Sequence, residues 1–301
     1  MLATGFTGNP ADDVRRLFEF HFMTNAFRAG TIVAVVAGVI GWFMVLRGQS
    51  FVGHTLSLVA FPGAAGAALV GISAAWGYYG FCLVAALVIA SIPRVSGHSF
   101  NEESAVVGTV QAFALACGFL FVTLYHGLLE GVNSLLFGSF LGITDSQVVT
   151  LFVVGTGAIG VLVVIARPLL FTSVDPDVAE ARGVPVRALS VVFLVVLGFA
   201  VAEASQVTGV LLVFALLVVP AATSQLITLR PLAGIALAVG LGLVITWGGL
   251  AFAYFSDRPV GFCITTPAFA LYLVVHAARW TTRRGRRGRA ARRVPATGHV
   301  T

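Results

Sequence analysis

FTSVDPDVAEARGVPVRALS, residues 171–190, is a compact charged island between two long apolar runs. Asp175, Asp177 and Glu180 come first; Arg182, Gly183 and Arg187 follow, and Gly183-Val184-Pro185 closes the stretch. Acids at the start and cations at the end suit the dipole of a short amphipathic helix. The runs on either side, residues 147–168 and 188–204, are apolar enough to cross about 30 Å of hydrocarbon. A polar helix held between two membrane spans is well placed to touch a soluble partner. The expected fold is therefore an all-α integral membrane protein with one recognition helix outside the lipid.

The rest of the chain extends this reading. Hydrophobic residues make up 58% of 301 residues and charged residues only 10%, where a soluble domain is about one quarter charged. Candidate spans recur at about 28–46, 52–72, 76–93, 105–125, 147–168, 188–204, 207–227, 232–255 and 260–278. The second, sixth and seventh are interrupted or separated by very short turns, so eight or nine spans are expected. They leave no room for a separate soluble domain. Residues 1–24 form an N-terminal segment, 25–279 the transmembrane domain and 280–301 an arginine-rich tail.

Every basic residue is an arginine. Arg47, Arg94, the group Arg167, Arg182 and Arg187, Arg230 and the C-terminal cluster fall in alternate loops; the other loops hold only Arg258. The positive-inside bias makes the first set cytoplasmic, together with the C-terminus, and puts the N-terminus outside. Arg15, Arg16 and Arg28 run against this pattern. An amphipathic helix lying in the interface over residues 12–24 would spare those charges a crossing. The eight arginines from Arg279 to Arg293 read as a stop-transfer anchor on anionic lipid. Nucleic-acid binding is not expected, because no aromatic residues interleave with them.

Few ionisable residues lie within the spans, and such residues are functional candidates because they are costly to bury. His54 stands at the start of the second span. Glu203 stands at the outer end of the sixth, read either as a residue reaching interfacial water or as the mouth of a pathway. Pro62-Gly63 and Pro220 interrupt apolar spans and free backbone carbonyls, as simple kinks or as pathway breaks. The loop at 126–146 is too apolar for a solvated connection and suggests a short helix dipping back among the spans. Cys82, Cys117 and Cys263 lie in apolar runs at no metal-ligand spacing. No catalytic constellation and no glycine-rich phosphate loop followed by lysine occurs, so no enzyme activity and no cofactor are expected in this chain.

Three segments together resemble the permease subunits of ABC importers for zinc, manganese or iron. They are GWFMVLRGQSFVGHTLSLVAFPGAA (41–65), LLFGSFLGITDSQ (135–147), and DPDVAEARGVPVRAL with QVTGVLLVFALLVVPAATSQLIT (175–228). The resemblance implies a helical permease that works as a pair, as two copies or with a related chain. It also implies ATP-hydrolysing subunits and an extracellular solute-binding protein in a prokaryotic plasma membrane. It makes the 175–187 segment the coupling helix that docks into the ATPase, through Asp175, Asp177, Glu180, Ala181, Arg182 and Gly183. The family pattern in the second span is Gly-Asp-Ala-X-Ser-His, which lets carboxylate and imidazole reach one ion from a single helical face. Here those positions are His54 and Leu58. Loss of the carboxylate disfavours manganese more than zinc, so zinc ranks first, with His54 either a metal ligand or a polar residue at a helix start. The alternatives are a permease for a metal chelate or other small solute, a secondary carrier with His54 and Glu203 as its relay, and a membrane scaffold.

Overall fold

The computed structural model describes residues 17–91, 100–125, 138, 140–256 and 258–291. Among the described residues there are ten α-helices and one 3-10 turn. These are α1 (His21–Leu46), α2 (Ser50–Val70), α3 (Ala74–Ser91), α4 (Phe100–Leu124), the turn Phe140–Gly142, α5 (Asp145–Val174), α6 (Pro176–Ala181), α7 (Val186–Thr208), α8 (Val210–Ile227), α9 (Pro231–Ser256) and α10 (Val260–Ala291). Eight of them are long and apolar enough to span a membrane; α6 is too short, and α8 is an apolar helix of 18 residues.

The all-helical expectation holds, with adjusted boundaries. α1 begins at His21, so the last four residues of the expected interfacial helix form its first turn; residues 1–16 lie outside the described set. α5 runs 30 residues, longer than the hydropathy of its ends indicates. Its start is fixed by a reciprocal cap in which the Thr144 hydroxyl accepts from Gln147 N–H and the Gln147 side chain accepts from Thr144 N–H. α7 and α8 meet at Gly209, whose φ of +73° turns the chain within a single residue. α10 continues past the expected end of the span to Ala291.

Helices in lipid gain little from hydrophobicity between themselves, so close approach has to supply the packing. α1, α2 and α7 are the most buried spans. α1 packs against α9, α5, α8 and α7; α2 against α3 and α4; and α3 against α7. Small residues mark the crossings. Gly41 of α1 abuts the Leu217 carbonyl of α8; a Cβ added at Gly38 would lie 2.8 Å from Val239 of α9, and one at Gly30 would lie 2.9 Å from Thr246 of α9. Phe43, Phe61, Phe193, Ile40, Met44 and Leu56 fill the centre. The outward faces of α4, α5, α9 and α10 carry exposed apolar residues such as Phe113, Val164, Val244 and Phe269, as lipid contact requires.

Of the apolar loop 126–146, residues 126–137 and 139 lie outside the described set. Its described end is anchored. Gly138 packs on the Thr208–Gly209 backbone, Phe140 and Ile143 are buried, and the Asn25 amide donates to the Ile143 carbonyl at 3.2 Å.

Candidate functional site

α6 is a six-residue helix, too short to persist without its caps. Asp175 caps its N-terminus, the carboxylate accepting from Val178 N–H at 3.0 Å, and Pro176 occupies the first helical position. At the other end the Gly183 N–H donates to the Glu180 carbonyl and the Val184 N–H to the Ala179 carbonyl. This double closure needs a left-handed residue, and Gly183 supplies it with φ +78°. Ala179 is buried, while Asp175, Asp177, Glu180, Ala181, Arg182 and Gly183 are all exposed. The six residues expected to form a contact surface therefore lie on the accessible side of a fixed element.

The same end of the molecule is held by Arg47, the basic residue between α1 and α2. Its guanidinium donates to Ser190 Oγ at 2.8 Å, Ser173 Oγ at 3.2 Å and Thr172 Oγ1 at 3.4 Å, and lies 5.4 Å from the centre of the Phe193 ring. One cation thus ties the α1–α2 turn to the helices on either side of α6. An open groove of about 790 Å³ adjoins α6, lined in part by Leu87, Ser91, Glu180, Val184 and Arg187, so the end of α3 shares this face. Replacing Arg47 by Ala removes these charged hydrogen bonds and one more from Arg47 Nε to Gln49 Oε1, each worth about 1.5–3 kcal/mol, net of water rearrangement. The expected result is a thermal unfolding midpoint several degrees lower in the purified protein. Arg47→Lys restores only part of it, because an ammonium lacks the planar fork.

His54 lies one turn into α2 and is half-buried. Its ring meets the Phe214 ring of α8 edge-on, with centroids 4.9 Å apart, and its Nδ1 is buried without a hydrogen-bond partner among the described residues. Leu58, four residues on, is half-buried on the same helical face. Among the described residues no group of three or more His, Cys, Asp or Glu side chains converges. A metal at His54 within one protomer would have to draw its other ligands from elsewhere.

α2 runs through Pro62 and α8 through Pro220 as continuous helices, and both prolines are buried. Gly63 faces Gly77 of α3, and Gly118 of α4 packs against Phe61 and Pro62. This cluster is where α2, α3 and α4 cross.

Glu203 differs most from expectation. Instead of reaching interfacial water it is fully buried, with neither carboxylate oxygen hydrogen-bonded among the described residues. Sequence hydropathy places it near the end of α7, but α1, α3 and α5 close over it. Its carboxyl fills the space a side chain at Gly155 would take, 2.8 Å and 3.2 Å from that Cβ position, beside Val36. Tyr79 of α3 lies in electrostatic reach, its own hydroxyl buried and directed toward the Gln206 side chain. Sequence reading missed Tyr79 and Gly155, since only the packing of three helices brings them to Glu203. It also passed over Asn25, which a polar residue within a buried helical turn could have signalled.

A profile of the ABC 3 transport family matches residues 19–279. The chain belongs to that family. Among ABC 3 relatives, it is 30% identical over 258 residues to the manganese import system permease protein ScaB of Streptococcus parasanguinis, covering 86% of this chain and 91% of ScaB. It is 28% identical over 285 residues to the manganese transport system membrane protein MntC of Halalkalibacterium halodurans, covering 94% and 97%. It is 29% identical over 256 residues to the chelated iron transport system membrane protein YfeC of Yersinia pestis, covering 85% and 86%. Among solved structures, PsaBC from Streptococcus pneumoniae in complex with Fab superposes with a TM-score of 0.78 at 28% identity, over 88% of this chain and 94% of that one. The inward-facing conformation of a further ABC transporter superposes at 0.68 and 17% identity, over 89% and 91%, which speaks to the fold alone. This ABC 3 chain is thus a multi-pass membrane permease subunit of an ABC importer and not itself the ATPase.

Proposed function

We propose that this chain is the permease of a divalent transition-metal importer, with α6 as the helix through which a separate ATPase drives it. The observation that carries the coupling role is an exposed, doubly capped α6, at the end of the bundle secured by Arg47. This end is the cytoplasmic one by the arginine pattern. ATP-driven closure of an ATPase pair against two such helices would shift the spans between inward and outward states. The opposite face, where α1 and α5 begin and His21 meets Asp145 at 3.1 Å, is the side for an extracellular solute-binding protein. The half-buried α2–α8 face, with His54, Leu58 and Phe214, is the surface on which a second permease would complete the pathway.

Manganese and chelated iron in the names of ScaB, MntC and YfeC support a metal cargo. The chemistry of α2 adds a preference within that class. An imidazole replaces the carboxylate that manganese favours, so zinc suits His54 better, and two copies of His54 across a pair would offer two nitrogen ligands. The lost second ligand at Leu58 favours one further reading, a metal chelate as cargo, because a chelate brings its own donors.

The test is elemental mass spectrometry of metal-starved cells expressing the chain with its ATPase and binding protein, against an ATPase-dead control. An ATP-dependent rise in zinc, manganese or iron is expected, and His54→Ala should lower it by about tenfold or more, as loss of a metal-site group does. Metal uptake unchanged in His54→Ala would remove His54 from the pathway. No rise in any metal from an assembled complex would move the cargo to another solute.

A further inference from the structure

Glu203 is a fully buried carboxyl group with no hydrogen bond and no ion pair among the described residues. A bare carboxylate in such a place costs several kcal/mol or more, so a cation has to accompany it. The surroundings decide which cation. A divalent ion needs several donors, whereas Gly155 of α5 and Val36 of α1 lie against the carboxyl, and no group of three or more His, Cys, Asp or Glu side chains converges among the described residues. A proton needs no further ligand.

The other ionisable groups do not change this. From α3 come Tyr79, Tyr78 and Cys82, all neutral when protonated. On α5, Asp145 and Arg167 lie toward the two ends, and Asp145 is paired with His21 of α1. Of the other cations of α1, Arg28 is exposed and Arg47 is bound to Ser190, thirteen residues before Glu203 along α7. His54 of α2 packs on Phe214, and α8 has no titratable residue.

We propose that Glu203 is an intramembrane proton-binding site. It holds a proton while α1, α3 and α5 are packed around it, and releases that proton when a movement of α5 away from α7 admits water. The carboxyl seated against Gly155 makes the α5–α7 contact the place where proton binding and helix packing are linked. The packed state is then favoured at low pH and lost as pH rises, by up to about tenfold in the packed-to-open ratio per pH unit. The transport cycle in this statement rests on the importer reading; the proton on Glu203 does not.

The test uses the permease–ATPase complex in lipid nanodiscs. Infrared difference spectra at neutral pH should show a protonated-carboxyl C=O band that shifts in heavy water and vanishes in Glu203→Gln. If the Gln variant does not assemble, Glu203→Asp keeps the acid and should move the band. A spectrum that neither substitution alters means that Glu203 is ionised, and overturns the proposal whatever the cargo. ATP-driven uptake measured against pH should vary in the wild type and flatten in Glu203→Gln, the neutral mimic. A profile superimposable on the wild type would overturn the link to packing.

Discussion

Gly63→Val is expected to abolish recovery of assembled protein, whereas Gly80→Val on the neighbouring helix is expected to leave it unchanged. At Gly63 the backbones of α2 and α3 touch directly. An added Cβ would fall on the Gly77 carbonyl oxygen and within 2.8 Å of Phe81 Cβ, and one at Gly77 would fall on the Gly63 carbonyl in return. The obstacle is backbone on both sides, so no side chain can swing away. Even one methyl group forced into a packed interior costs about 1–3 kcal/mol, and valine adds two more atoms to that collision. Helix separation here would also loosen α4, whose Gly118 packs against Phe61 and Pro62. Gly80 is exposed, and beyond its own stretch of helix no described residue lies within 4 Å of its added Cβ, so it should tolerate the change within about 0.5 kcal/mol. Monodisperse yield after detergent extraction and the thermal midpoint distinguish the two variants. Normal assembly of Gly63→Val with lost transport would instead place Gly63 in the pathway, as a break beside Pro62.

Much of the fold is legible in the sequence because the bilayer leaves few options. Every spanning segment needs its backbone bonds satisfied internally, so long apolar runs become helices. The ends are less legible because they depend on partners. α1 reaches back to His21 through a turn containing Asn25, whose bond to Ile143 lies 118 positions away. The α7–α8 junction is resolved only by the conformation of Gly209. α6 could be read in detail because its determinants, Asp175, Pro176, Gly183 and the acid-to-base order, are local. Glu203 could not. Its place near a helix end suggests water, and only the convergence of α1, α3 and α5 shows that it is buried. Arg47 lies between these cases: its charge fixes a side of the membrane, while its hydroxyl partners at 172, 173 and 190 emerge from tertiary packing.

Reversing the two acids of α6, Asp177→Lys with Glu180→Lys, is expected to reduce ATP-driven uptake by at least about tenfold while leaving membrane insertion and ATPase turnover in place. The two carboxylates are exposed and hold no part of the fold: the cap is Asp175, the buried contact is Ala179, and the closing bonds run from the backbone of Gly183 and Val184. Reversal therefore changes the surface offered to a partner more than the element that offers it. Like charges brought together across an interface cost several kcal/mol, and every 1.4 kcal/mol is tenfold in binding. A docking contact that uses these acids cannot survive both changes. Asp175→Ala serves as the counterpart, because it removes the cap and keeps both acids, weakening the helix without inverting its field. If α6 acts through its charge, the double reversal loses uptake far more completely than the cap variant does. If α6 acts only as a rigid spacer, the order is the opposite. Uptake equal to wild type in the double reversal would mean that the ATPase takes hold of the permease elsewhere, with the groove between α3 and Arg187 as the next surface to alter.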